Sequence, residues 1–213
     1  MEKIAIEKNF ILQNVLSSIV EDVKNIENIS SDKKLIMNTL NSKSVEYFFH
    51  SKRVSRLAKR LAKCMHLDKV LVRQIALAAL MHDVGKVSIA DEILNSKEKL
   101  TSPQFEKIKT HSLMGCKILN SSHDLLNISQ FVLEHHERWD GQGYPNKIAG
   151  EAICLPARII ALADSYDAMT SNRPYRAALS KKVATAEIKK CAGTQFDPYI
   201  AQIFVEKVLR SKW

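Results

Sequence analysis

Two residue doublets in this 213-residue sequence bring together side chains that could hold metal ions, His82-Asp83 and His135-His136. Each closes a mainly apolar stretch, Ala76-Leu77-Ala78-Ala79-Leu80-Met81 before the first and Phe131-Val132-Leu133-Glu134 before the second. Neighbouring helical residues point about 100° apart, so a doublet can reach a cluster lying across a helix end but rarely one ion alone. Asp83 has two oxygens and could bridge two ions, with imidazoles as terminal ligands. Other candidates lie elsewhere in the chain. His50 has Glu46 one helical turn before it, so the two share a face. His111 is expected in the middle of a helix. Asp164 sits in the apolar run Ile159-Ile160-Ala161-Leu162-Ala163, where an unpaired carboxylate is costly to bury and ligation would remove that cost. A single helical histidine is more often a core or surface residue than a ligand, so the argument rests on the conjunction. His66 and His123 have no such context and read as ordinary surface residues.

Basic groups follow the same segments. Lys86 comes three residues after Asp83, just past a helix end expected at Gly85, and could reach an anion held by the cluster. Arg173 and Arg176, in Ser171-Asn172-Arg173-Pro174-Tyr175-Arg176, add two guanidiniums suited to bidentate phosphate contact. Spacing alone leaves a pair of surface arginines equally open.

The elements that must position these groups read as helices. Ile11, Val15, Ile19 and Val23 recur every four residues, as one stripe of a first helix requires. A second helix is expected after Ser30-Ser31-Asp32. A third spans about 44–65, with Val54, Leu57 and Leu61 on one side. A fourth, capped by Asp68, carries Val72, Ile75, Ala76 and Ala79 towards Asp83. Ser102-Pro103 and Asp197-Pro198 each read as an N-cap followed by the first helical residue. Pro156 opens a helix over 157–169. Ser180 caps another over 181–191, which Gly193 can end. The segment 140–153, with Gly141, Gly143, Pro145 and Gly150, is a loop. No stretch alternates at period two, so the fold class is all-α.

Composition narrows the function classes. Hydrophobic residues are 46% and charged residues 26%, as in an ordinary globular chain, and 6 Gly with 5 Pro are too few for a loop-rich sandwich. No apolar run approaches the ~18–20 residues that span a bilayer. The first residues have no signal-peptide layout, so a cytoplasmic protein without membrane contact is expected. The four cysteines form no CxxC pair and read as small buried hydrophobes in a reducing compartment. A net charge of +9 favours an anionic partner, but no zinc-finger or RNA-binding spacing points to a nucleic-acid polymer.

Taken in order, the strings resemble the HD-GYP family of bacterial signalling phosphodiesterases over about 46–204. They are His50-Ser51-Lys52-Arg53-Val54, His82-Asp83-Val84-Gly85-Lys86, His111-Ser112-Leu113-Met114-Gly115, and His135-His136-Glu137 through Trp139-Asp140-Gly141-Gln142-Gly143-Tyr144-Pro145. The last are Ala157-Arg158-Ile159, Asp164-Ser165-Tyr166-Asp167-Ala168-Met169-Thr170 and Gly193-Thr194-Gln195-Phe196-Asp197-Pro198. The resemblance implies an HD-domain-like helical bundle over 44–213, preceded by a helical extension over 1–43 that could dock, dimerise or simply cover the core. It implies hydrolysis of cyclic di-GMP to the linear dinucleotide or to GMP, at two or three divalent ions, iron or manganese. The implied ligands are His50, His82, Asp83, His111, His135, His136 and Asp164, with Glu46 added in a three-metal site. Lys86, Tyr144, Arg173 and Arg176 fall where substrate is contacted, and Asp83 and Lys86 are the implied catalytic groups. The family's Gly-Tyr-Pro loop also contacts cyclic di-GMP-synthesising (GGDEF) proteins, and a homodimer is open. Alternatives are another cyclic dinucleotide, such as cyclic GMP-AMP, or a non-catalytic scaffold. The sequence departs from the family pattern at Asn146-Lys147-Ile148, at Ser96-Lys97-Glu98 and at Cys154, where proline is common. Those departures put the shape of the loop in doubt, not the ligand set.

Overall fold

The computed structural model describes residues 45–96, 98–172 and 177–213, the side chains of residues 45 and 46 excepted. The two helices expected before residue 44, the Glu46 side chain, Arg173 and Arg176 lie outside the described residues. Nine α-helices and no strand occur among those described. They are α1 (Val45–Cys64), α2 (Lys69–Met81), α3 (Asp91–Leu94), α4 (Ser102–Lys109), α5 (His111–Asn120), α6 (Leu126–Glu134), α7 (Leu155–Thr170), α8 (Lys181–Lys190) and α9 (Pro198–Ile203). A π-helical turn, Phe204–Val208, continues α9. No described helix is long and apolar enough to cross a membrane.

Local chemistry sets most helix starts. The Asp68 carboxylate accepts from the backbone N–H of Val70 and Leu71, Ser180 from Val183, and Asp197 from Tyr199 and Ile200. One start differs from expectation. Thr101, not Ser102, caps α4, and its hydroxyl and the Gln104 side chain form a reciprocal capping box, leaving Pro103 inside the first turn.

The second difference bears on the site. His111 is not in mid-helix: α4 ends at Lys109, Thr110 closes it, and His111 begins α5. Thr110 turns both its backbone N–H and its hydroxyl back onto the Lys107 carbonyl, which tightens the last turn and redirects the chain.

α1, α2, α6 and α7 pack around one core. Val54, Ala58 and Leu61 of α1, Ile75, Ala78 and Ala79 of α2, Ile128 and Val132 of α6 and Ile159 and Leu162 of α7 are buried. Phe204 closes the same core from the chain's end. After α2 the chain makes a 3-10 turn, Val84–Ser88, against α5. Gly85 allows that approach, because a Cβ there would lie 1.9 Å from the His111 carbonyl oxygen.

Candidate metal centre

Five candidate ligands occupy helix ends or the segments just beyond them. His82 follows the last residue of α2, and Asp83 is already outside the helix with φ −95° and ψ 6°. His135 follows α6 in the same way, with His136 after it. His111 opens α5 where α4 stops. His50 lies within α1 and Asp164 within α7. His82, Asp83, His111 and His135 are each no more than 2% exposed, and His50 is 9% exposed.

Ring orientation is fixed by the nitrogen that faces away from the centre. Nδ1 of His82 lies 2.8 Å from the Ala79 carbonyl oxygen, Nδ1 of His111 2.8 Å from that of Ile108, and Nδ1 of His135 2.6 Å from that of Val132. A carbonyl only accepts, so each Nδ1 carries the proton and each Nε2 presents a lone pair inwards. His50 is held differently: its Nδ1 lies 2.7 Å from Oδ2 of Asp167.

Asp83 stands at the centre of the inward-facing atoms. Its Oδ2 lies 3.5 Å from Nε2 of His82 and 4.0 Å from Nε2 of His50, and its Oδ1 lies 3.5 Å from Nε2 of His111. Asp164 Oδ1 is 3.1 Å from Nε2 of His50 and 3.9 Å from Nε2 of His82. The donors fall into three overlapping groups whose ligand atoms lie within 4.8 Å of one another: His50, His82 and Asp164; His82, Asp83 and His135; His111, His135 and His136. The seven expected ligands with described side chains therefore converge.

This donor set fits divalent cations on three counts. Nε2 of His111 and Nε2 of His135 face each other at 3.3 Å. With both Nδ1 atoms already donating, their lone pairs oppose unless a cation lies between. The carboxyl ends of α2, α4 and α6, where partial negative charge collects, are followed by the cluster residues His82, His111 and His135. Imidazole and carboxylate together also suit first-row transition ions.

Electrostatics separates the two sides of the cluster. Burial opposes charging of His50, but hydrogen bonds to Asp164 and Asp167 outweigh it and raise its pKa to about 9. Burial drives His136 down to about 3, with neighbouring His111 adding to the effect. His135 is also held well below the usual range by burial and by His136, and His111 is lowered mainly by burial. Burial pushes the Asp83 carboxyl upwards, yet Lys86, then His82 and His111, bring it well below the usual range.

Lys86 reaches the cluster, with Nζ 2.6 Å from Asp83 Oδ2 and 4.9 Å from the centre of the Tyr47 ring. Tyr144 stacks on His136, ring centres 4.8 Å apart at 30°. The loop carrying Tyr144 is tied to the residue after the histidine doublet. Glu137 accepts from the backbone N–H of Asn146 at 2.6 Å and of Lys147 at 3.1 Å. Because these are main-chain donors, the unusual Asn146-Lys147 side chains leave the loop anchored. Gly143 passes so near that a Cβ would lie 2.4 Å from the Arg138 nitrogen. The Tyr144–Pro145 bond is cis. The Cys154 N–H donates to Glu134 Oε2 at 2.8 Å, a bond that proline at this position could not make.

Sequence reasoning missed three residues at the site: Asp167 behind His50, Tyr47 beside Lys86, and Glu137 under the loop. Only Asp167 left a trace, since it lies three residues after Asp164 and Arg53 three after His50, matched spacings on two helices that face each other.

Comparisons with known proteins agree with this arrangement. The HD domain profile matches residues 34–200. A cyclic di-GMP phosphodiesterase of Thermotoga maritima is 37% identical over 174 residues, covering 80% of this chain and 47% of that protein. The 3'3'-cGAMP-specific phosphodiesterase 1 of Vibrio cholerae is also 37% identical, over 155 residues, covering 73% of this chain and 36% of its own length. The chain thus spans less than half of these curated relatives. Among solved structures, the HDG"Y"P protein Bd1817 of Bdellovibrio bacteriovorus superposes with a TM-score of 0.65 at 17% identity, covering 90% of this chain and 68% of that one, which speaks to the fold. With its profile match, its 37% identical relatives and the order of its His/Asp strings, the chain belongs to the HD domain family, in its HD-GYP branch.

Proposed function

We propose that this chain hydrolyses a phosphodiester bond of a cyclic dinucleotide, cyclic di-GMP in the first instance, giving the linear dinucleotide or GMP. The observation that carries the reading is the placement of Asp83, whose two carboxylate oxygens face different histidine sets. A bridging carboxylate between two cations requires that arrangement. His50, His82 and Asp164 would hold one ion, and His111, His135 and His136 the other. Iron or manganese is the metal that the resemblance to the HD-GYP family implies, and the mixed imidazole and carboxylate donors suit either. Glu46 would complete a third site, a proposal that stands on sequence alone. Bound there, divalent ions supply Lewis acidity and activate water for attack on phosphorus.

The chain's own residues do the rest. Three Nδ1–H donors to carbonyls hold the imidazoles in orientation, so the site needs no reorganisation as charge develops. Lys86 places an ammonium beside Asp83, where it offsets negative charge building on the phosphate. Tyr144, on its anchored loop, offers an aromatic face to a nucleobase at the edge of the site. Arg173 and Arg176 are proposed as further phosphate contacts. The wider reading is a cytoplasmic signalling enzyme. Residues 1–43 would be a helical extension to a catalytic domain over 44–213. The Gly-Tyr-Pro loop would be a contact surface for GGDEF proteins, and self-association into a homodimer is compatible with this arrangement.

A second substrate has specific support. The Vibrio relative named for 3'3'-cGAMP is as similar as the Thermotoga relative named for cyclic di-GMP. One experiment tests both. Protein purified without oxygen and loaded with ferrous iron or manganese is mixed with each cyclic dinucleotide in turn, and products are followed by chromatography while bound metal is counted. Linear dinucleotide or GMP from cyclic di-GMP supports the first reading, and turnover of cyclic GMP-AMP alone supports the second. Tight binding without turnover by metal-loaded protein would replace both with a scaffold.

A further inference from the structure

The four histidines with resolved ring partners are not backed alike. His82, His111 and His135 donate Nδ1–H to neutral carbonyls. His50 alone among them donates to a carboxylate, Asp167 Oδ2, at 2.7 Å. Asp167 is itself gripped from the other side. Arg53 Nε donates to its Oδ1 at 2.6 Å and an Arg53 terminal nitrogen to its Oδ2 at 3.0 Å, a bidentate pair. Ser171 adds a longer contact at 3.4 Å. The chain of contacts runs from one helix to the other and back: Arg53 and His50 project from α1, three residues apart, and Asp167 and Asp164 from α7, three residues apart.

We propose that Asp167, clamped by Arg53, is the positioning residue of His50, and that this backing makes the His50–His82–Asp164 side of the cluster the tighter of two unequal metal subsites. The proposal rests on the metal-binding half of the proposed function and not on its substrate half.

Three features separate the subsites. A carboxylate hydrogen-bonded to Nδ1–H draws that proton away and makes Nε2 a more basic ligand than a carbonyl does. The His50 side contains Asp164 as well as Oδ2 of Asp83, whereas the His111–His135–His136 side has Oδ1 of Asp83 as its one carboxylate oxygen. Asp83 faces both sides and is matched by Lys86, so once the ion has displaced the His50 proton, Asp164 and Asp167 set against Arg53 leave the first side one negative charge, while the three imidazoles carry none. A divalent ion is drawn more strongly to the anionic side, and the low-dielectric surroundings of buried groups magnify the difference. Arg53 has a second role here. By holding both Asp167 oxygens it keeps that carboxylate behind His50 as an acceptor and prevents it from swinging into the cluster as a rival ligand.

The test is a metal titration that involves no nucleotide. The metal-free 213-residue protein is titrated with manganese(II), and the unbound ion is followed by electron paramagnetic resonance. Two phases are expected for the unaltered chain, separated by about tenfold or more in affinity. Asp167→Asn is expected to weaken the tighter phase by about 10–100-fold and to leave the looser one in place. His136→Ala is expected to do the reverse. Asp167→Glu should restore part of the tighter phase, which a loss of packing alone would not allow. If Asp167→Asn does not fold by circular dichroism, Arg53→Gln carries the test, with a smaller loss expected in the same phase. A single phase in the unaltered chain overturns the inference, as does an unchanged tighter phase in folded Asp167→Asn or a loss confined to the looser phase. Metal binding of the expected form without cyclic-dinucleotide turnover would remove the proposed substrate and leave this inference standing. No metal binding at all would end both.

Discussion

The electrostatics of the site predicts an unusual pH profile for the protein stripped of metal. His136 has its pKa near 3 in the folded state and His135 lies well below 6.5, so both stay uncharged on acidification. In the unfolded chain both protonate near 6.5. Between about 3 and 6.5 the unfolded state therefore binds more protons, and stability rises with pH. The one proton of His136 corresponds to about 1.4 kcal/mol per pH unit, and the lowered pKa values of His135 and His111 add to that slope. His50 works in the opposite sense. Its folded pKa, about 9, is above the unfolded value, so its contribution is fully present below 6.5 and is lost as pH rises through 9, at about 1.4 kcal/mol per unit. The metal-free protein should therefore be most stable near pH 6.5, with a steep acid limb and a shallower alkaline one. A domain with the usual ~5–15 kcal/mol of stability would unfold within a few pH units on the acid side. Urea melts followed by circular dichroism from pH 4.5 to 9 in the presence of a chelator give the curve directly. Saturating manganese should raise the whole curve, by about 4 kcal/mol at a thousandfold excess over Kd. It should also flatten the alkaline limb, since Nε2 of His50 would then bind the ion rather than a proton. A flat profile from pH 5 to 7 in chelator would refute the claim that these imidazoles are buried and neutral.

Five substitutions separate the remaining roles. His82→Ala and Asp83→Ala should each abolish turnover and lower the metal count, and full activity in a well-folded variant would sink the metal assignment. Lys86→Ala should keep its metal and lose roughly 100-fold in kcat/KM, and unchanged kinetics would remove the phosphate role. Gly85→Ala puts a Cβ 1.9 Å from the His111 carbonyl oxygen and 2.5 Å from the Gly115 nitrogen. Since main chain must move, it should cost about 1–3 kcal/mol or more in thermal denaturation and weaken metal binding through His111. Glu137→Ala frees the N–H groups of Asn146 and Lys147 and should raise KM while the metal count holds, and an unaltered KM would show that the loop is anchored by other means.

The parts of the fold legible in the sequence are those governed by side chains adjacent to the backbone they control. Asp68, Ser180 and Asp197 cap helices within three residues of themselves, so their types announce the starts. The α4 start lies one residue before the one that Ser102-Pro103 suggests, because the Thr101–Gln104 box sets the boundary. The break at Thr110 was hidden because Thr110 bonds backward to Lys107 and threonine is tolerated in either arrangement. At the site, the His/Asp strings named every residue of the His/Asp cluster whose side chain is described. Asp167, Tyr47 and Glu137 were not legible as site residues, because each acts on a group that is distant in sequence or on main chain that any residue could supply.

The placement of the histidines explains why three needed no partner from another element and one did. His82, His111 and His135 each bond the carbonyl three residues before them, Ala79, Ile108 and Val132. Those carbonyls belong to last turns of helices, where the backbone has acceptors and no donors to meet them. A histidine just past a helix end therefore finds its Nδ1 partner in its own chain. The bond satisfies an orphan carbonyl, fixes the tautomer and turns Nε2 outwards in one step. An apolar helix ending in His is enough to specify that geometry, which is why the doublets could be read from sequence. His50 lies inside α1, where main-chain carbonyls are already committed to the helix. Its Nδ1 must be satisfied from elsewhere, and the donor's position leaves room for a group from the facing helix. A carboxylate there gives more than orientation, because it adds charge to one half of the cluster only. The asymmetry between the two sides thus follows from where each histidine falls along its helix.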